Sequence, residues 1–111
     1  MGGMRPSHVQ LVTGCGTTKH FVERARTRGL APDVADFIVL WGATVEGRDG
    51  ATYFTVVRRE LPAEVRDDDL ARRADGWVLV VAERGWILTC YRCNNAWRWV
   101  RRRAECRRRA A

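Results

Sequence analysis

The chain has 111 residues, 46% hydrophobic and 30% charged, with a formal net charge of +7. That is the length of one domain, with enough apolar residues for a core, so wholesale disorder is excluded. Its longest uninterrupted apolar run, Trp77 to Ala82, is too short to span a bilayer as a helix.

Met1 to Arg5 is not followed by an apolar segment, so no cleavable leader is expected. Residues 1–16 are glycine-rich and carry Pro6. They read as a loose N-terminal segment with a short ordered stretch at Val9 to Val12. Residues 17–111 read as a single domain. A first helix is predicted near Thr18 to Arg28, with Thr17 or Thr18 as its cap, Gly29 as a left-handed terminator, and Phe21, Val22 and Ala25 as its apolar stripe. A second follows Ala31. Pro32 suits its first turn, Asp33 favours its positive end, and Gly42 closes it. Val34, Phe37, Ile38 and Trp41 fall at i, i+3, i+4 and i+7, the spacing of one helix face.

The period then becomes strand-like. Gly47 to Gly50 is a turn, and Ala51 to Arg58, rich in Thr, Tyr, Phe and Val, is a strand. Residues 61–75 hold Pro62 and the triplet Asp67-Asp68-Asp69, predicting a loop with a short helix in which the aspartates act as caps. Gly76 to Ala82, the turn Glu83-Arg84-Gly85 and Trp86 to Arg92 form an antiparallel hairpin pattern. Asn94 or Asn95 caps a last helix running to about Arg107, with Trp97, Val100 and Ala104 inward. The order α-α-β-β-β-α predicts an α+β fold, its helices packed on one face of a small antiparallel sheet.

Charge is unevenly placed. Residues 1–97 carry 13 Lys/Arg against 12 Asp/Glu, whereas residues 98–111 carry seven Arg and one Glu. A basic terminal helix suits RNA or an acidic protein partner, and a solvated tail with no specific partner is the alternative. Within it Arg98, Trp99, Arg102 and Arg109 are the candidate nucleic-acid contacts, since rings stack on bases and guanidiniums hold phosphates.

Helix one carries the candidate chemistry. His20, Arg24 and Arg28 follow at i+4 steps, each turning about 40°, so they share one ridge. An imidazole moves protons near neutral pH and arginine holds phosphate through two N–H groups. The alternative is a surface histidine with arginines paired to carboxylates such as Glu23 or Asp36. At the end of the last strand, alternation sets Thr89 and Tyr91 on one face, Cys90 and Arg92 on the other. Cys90-Tyr91-Arg92-Cys93 is a CxxC without a second pair, and residues three apart on a strand point to opposite faces, so neither metal nor cofactor is expected. The default location is cytoplasmic, with the four cysteines reduced.

These motifs, in order, resemble a known family. Lys19-His20-Phe21-Val22-Glu23-Arg24, Arg28-Gly29-Leu30 and a helix closing at Trp41-Gly42 resemble the opening of the small bacterial domain of unknown function 4258 family. Gly76-Trp77-Val78-Leu79-Val80-Val81 and Gly85-Trp86-Ile87-Leu88-Thr89-Cys90-Tyr91-Arg92 resemble its end. Cys90 stands where an aliphatic residue is usual, and the acidic insert before Gly76 is particular to this chain. The resemblance implies a fold like that of the RelE-like and barnase-like toxin nucleases. The expectation is then a metal-independent endoribonuclease, the toxin of a toxin–antitoxin pair with an acidic partner. The RNA 2′-hydroxyl attacks the adjacent phosphate, with His20 as general base or acid. Arg24, Arg28 and Arg92 stabilise the phosphorane, and Tyr91 protonates the leaving oxygen. A non-catalytic nucleic-acid-binding module and a small interaction protein for an acidic partner are the alternatives.

Overall fold

Thr18 decides where the first helix begins. In the structure, a computed structural model describing residues 16–47 and 50–110 with side chains as far as Arg103, strand β1 (Gly16–Thr17) turns directly into helix α1 (Lys19–Arg28). The Thr18 hydroxyl accepts from the Phe21 N–H at 3.1 Å and donates to the Ile87 carbonyl at 2.9 Å, so one side chain caps the helix and ties it to the sheet. Gly29 ends α1 in the left-handed region, at φ 84°. Helix α2 (Pro32–Trp41) starts at its proline and stops at Gly42. Gly42 is extended, at φ −74°. Glycine is needed there for space, because a Cβ would collide with the Ile38 carbonyl oxygen. The stretch expected at Val9 to Val12 lies outside the described residues.

Strands β2 (Ala43–Glu46) and β3 (Thr52–Thr55) follow, then a 3-10 turn at Arg58–Glu60 and two short helices, α3 (Ala63–Arg66) and α4 (Asp69–Ala74). The three aspartates are each engaged locally. Asp68 caps α4 by accepting from the Leu70 N–H at 3.1 Å, Asp67 lies 3.9 Å from Arg58, and Asp69 lies 3.6 Å from Arg73. Strands β4 (Trp77–Val81) and β5 (Trp86–Arg92) form the expected hairpin, and α5 (Ala96–Ala110) ends the fold. The Ala82 N–H donates to the Trp86 carbonyl at 2.8 Å across a three-residue loop whose Gly85 sits at φ 89°, the left-handed position that such a loop requires.

The sheet order is β1-β5-β4-β3-β2, with β1 parallel to β5 and the other pairs antiparallel. The fold class is α+β, as expected, with a mixed sheet of five strands among the described residues. The sequence reading missed β1 and β2, and its single helical face does not hold. Along β4, Trp77, Leu79 and Val81 enter a cluster with α1, α2 and α4, while Val78 and Val80 enter a second cluster with Ala96 and Val100 of α5. Helices therefore cover both faces. The unbroken apolar run Trp77 to Ala82 was the signal, because a strand covered on both sides has no polar face to alternate with.

Strand β5 contains one irregularity that matters. Val81 pairs with Ile87 but Val80 pairs with Thr89, so Leu88 is an extra residue. The bulge lets Ile87 and Cys90, three apart, both turn into the α1 cluster with 0% exposure.

Candidate nucleic-acid interface

Strand β1 pairs only with Trp86 and Ile87, which leaves the outer side of Leu88–Arg92 as a sheet edge among the described residues. Helix α1 runs beside that edge. Thr18 anchors its start at the Ile87 carbonyl, and Arg28 at its end donates to the Cys90 carbonyl at 3.4 Å. Side chains from α1 thus occupy edge carbonyls that would otherwise invite another strand.

From this position the Arg28 guanidinium lies 6.0 Å from the centre of the Tyr91 ring. Tyr91 pairs with Val78 and so projects on the α5 side of the sheet. There its ring meets Trp99 at 5.7 Å. Trp99 also meets Tyr53 edge-on at 5.8 Å, and Arg103 stacks over it at 4.2 Å. A continuous series of cation, ring, ring and cation therefore wraps the open edge, from α1 on one face to α5 on the other. Tyr91 is 39% exposed and Trp99 partly so, leaving ring surface for a ligand.

The expected site residues divide. Arg28 and Tyr91 come together, and Trp99 joins them. His20 lies eight residues before Arg28, about 12 Å back along the helix axis. It is exposed, and no hydrogen bond or ring contact joins it to Tyr91. Arg24 is exposed between them, close enough to Cys90 to act on its thiol. Arg92 projects to the opposite side from Tyr91 and lies over the Trp77 ring at 5.2 Å. Arg98 and Arg102 are exposed, and stand roughly 160° around α5 from the buried Val100. Arg109 belongs to α5 but its side chain lies outside the described residues, as does that of Ala104. The inner face of α5 is Ala96 and Val100, with Trp97 only partly buried at its margin. Arg103 belongs to the run Arg101-Arg102-Arg103 that follows Trp97-Arg98-Trp99 but was not among the expected contacts, although its i+4 spacing from Trp99 places the two together.

Burial pushes the Cys90 thiol up to about 11, with the charges of Arg28 and Arg24 pulling it partly back. It is a packing residue at neutral pH, not a nucleophile. Cys93 sits with the α5 cluster, so the two thiols of the CxxC lie on opposite sides of the sheet. Among the described residues no three metal-ligating side chains converge, and no helix is long and apolar enough to cross a membrane.

Comparison of the chain with protein-family models, with curated proteins and with solved structures found no match.

Proposed function

We propose that the protein binds single-stranded RNA along the face formed by Arg28, Tyr91, Trp99 and Arg103. The observation that carries this reading is the cation–ring–ring–cation series around the open edge of β5. Rings offer every base a stacking surface, and guanidiniums between them follow the phosphates, so such a surface suits an unpaired strand better than a duplex. The exposed Arg98, Arg101 and Arg102 of α5 add long-range attraction for a polyanion.

The test is affinity for an oligouridylate as a function of salt. Tyr91→Ala and Trp99→Ala should each weaken binding by about 1–3 kcal/mol, the usual worth of one stacked base. Unchanged affinity in both folded variants would remove this face from the binding surface. An acidic protein in place of RNA would compete for the arginines without quenching tryptophan fluorescence.

Metal-independent cleavage is the second reading. His20 favours it, as an exposed imidazole without a hydrogen-bond partner among the described residues, on the same helix as Arg24 and Arg28. Here His20 acts on a 2′-hydroxyl or leaving oxygen one or two nucleotides along the strand from the stack. His20→Ala should then lower the cleavage rate by about 10²–10⁴ while RNA affinity holds. A folded His20→Ala protein that cleaves at the original rate ends this reading and leaves RNA binding untouched.

A further inference from the structure

Arg92 leads to a second basic place, on the other side of the sheet. Its guanidinium lies over the Trp77 ring at 5.2 Å, a contact that favours this position for it. There it borders a depression of about 350 Å³ between the end of α1, α2, α4 and the sheet. Leu30, Val34 and Trp77, all buried, form its apolar floor, and Arg72 and Arg73 of α4 stand on its wall.

The charges around it are unequal. Arg73 is compensated, lying 3.8 Å from Asp33 and 3.6 Å from Asp69. Arg72 and Arg92 have no carboxylate within ion-pair distance among the described residues. Two uncompensated guanidiniums from separate elements therefore line one concave place above an apolar floor. Low-dielectric walls strengthen their pull on an anion. Two guanidiniums carried by separate elements, α4 and β5, can offer an oxyanion two N–H forks, and the volume admits a group of nucleotide size.

We propose that this depression is a phosphate-ester site held by Arg72 and Arg92. The phosphate is that of a nucleotide, either free or part of an RNA strand. The site is separate from the stacking face and does not depend on it: the two lie on opposite sides of the sheet and share none of the four stacking residues.

Titration calorimetry at low ionic strength tests it, with uridine 5′-monophosphate, uridine and inorganic phosphate as probes. The monophosphate and inorganic phosphate should bind and uridine should not. Arg72→Gln, on the exposed side of α4, should weaken monophosphate binding about tenfold or more, the usual effect of losing a charged hydrogen-bond donor. Arg84→Gln, which removes the same charge from the exposed turn between β4 and β5, should leave it unchanged. Arg92→Lys keeps the charge but loses the fork, and should also weaken binding. An oligouridylate separates the two sources. A strand phosphate predicts that Arg72→Gln lowers the log–log salt slope by about 0.7, and a free nucleotide predicts no change in that slope. Equal binding of uridine and its monophosphate, or full monophosphate affinity in Arg72→Gln, overturns the proposal. Neither outcome bears on Tyr91 and Trp99, whose effect on the oligouridylate tests the stacking face alone.

Discussion

One face of the sheet is covered by α1, α2 and α4, which bring Phe21, Leu30, Val34, Phe37 and Ile38 down onto Trp77, Leu79, Val81, Ile87 and Cys90. The other is covered, among the described residues, by α5 alone. Its buried contributions, Ala96 and Val100, are small, and around them stand the half-buried Trp97 and Trp99 and a series of arginines. The first face places large side chains where they are fully covered, and so supplies most of the burial that stabilises the fold. The second keeps its largest rings at the margin, where their burial is incomplete and their surfaces remain open to a ligand. Stability and binding are therefore divided between the two faces, and that division can be tested.

The largest difference is expected between two tryptophans. Trp77 is 2% exposed at the centre of the α1-side cluster, so Trp77→Ala should cost about 3–5 kcal/mol in urea denaturation. Trp97 was expected from its helical phase to be the core residue of the last helix. The structure gives that place to Ala96 and Val100, so Trp97→Ala should cost less, under about 2 kcal/mol. Equal losses at the two positions would break the comparison.

A smaller effect, confined to alkaline solution, is expected from Cys90. Its folded thiol titrates at about 11, above the ordinary value of 9.0, because burial disfavours the thiolate. The folded state therefore holds its proton where the unfolded state has lost it. The stabilisation is fully present below pH 9 and is lost as pH rises from 9 towards 11. Wild type should lose stability over that window more steeply than Cys90→Ala, and parallel curves would place the thiol in a wetter environment.

Elements with strong local signals were legible in the sequence. Thr18 and Gly29 bounded α1, Pro32 and Gly42 bounded α2, and the β4–β5 hairpin followed from its apolar runs and the Gly85 turn. The two missed strands are two and four residues long. Gly16 is defined by Trp86, far away in the chain, so nothing local marks β1. Strand β2 pairs with β3 across the turn expected at Gly47 to Gly50, but Ala43-Thr44-Val45-Glu46 is too short for its alternation to stand out. The candidate site was legible in its members but not in its assembly. Arg28 and Tyr91 meet because α1 runs beside a sheet edge, and Arg92 leaves Tyr91 because alternation sends it to the other face. Spacing along one element could give the second of these but not the first. Helical phase alone places Arg103 beside Trp99, whereas the arginines expected as contacts, Arg98 and Arg102, stand on the outer side of α5.

Removing the cap hydroxyl should have a moderate effect. Thr18→Ala loses the bond to the Phe21 N–H and the one to the Ile87 carbonyl, and should cost about 1–2 kcal/mol. Thr18→Ser keeps both bonds and should recover most of that. Because α1 carries Arg28 to the edge of β5, Thr18→Ala should also weaken RNA binding in proportion to the disorder it causes in α1, whereas a loss of stability with full affinity would separate the helix from the binding face.

The smallest stability effect is expected from the arginines of α5, and it sharpens the comparison most. Arg98 and Arg102 are exposed on the outer side of the helix, so changing both to Gln should move stability by no more than about 0.5 kcal/mol. Their charge acts on RNA only at a distance if the strand follows the rings. Arg28 and Arg103 stand against Tyr91 and Trp99, where phosphates between stacked bases would pass. Each phosphate contact on a single strand contributes roughly 0.7 to the log–log salt slope, so Arg28→Gln with Arg103→Gln should flatten that slope by about 1.4. The outer pair should flatten it by clearly less, although both double variants remove the same charge. If the outer pair has the larger effect, the strand runs along the far side of α5 and the rings at the edge of β5 serve packing alone.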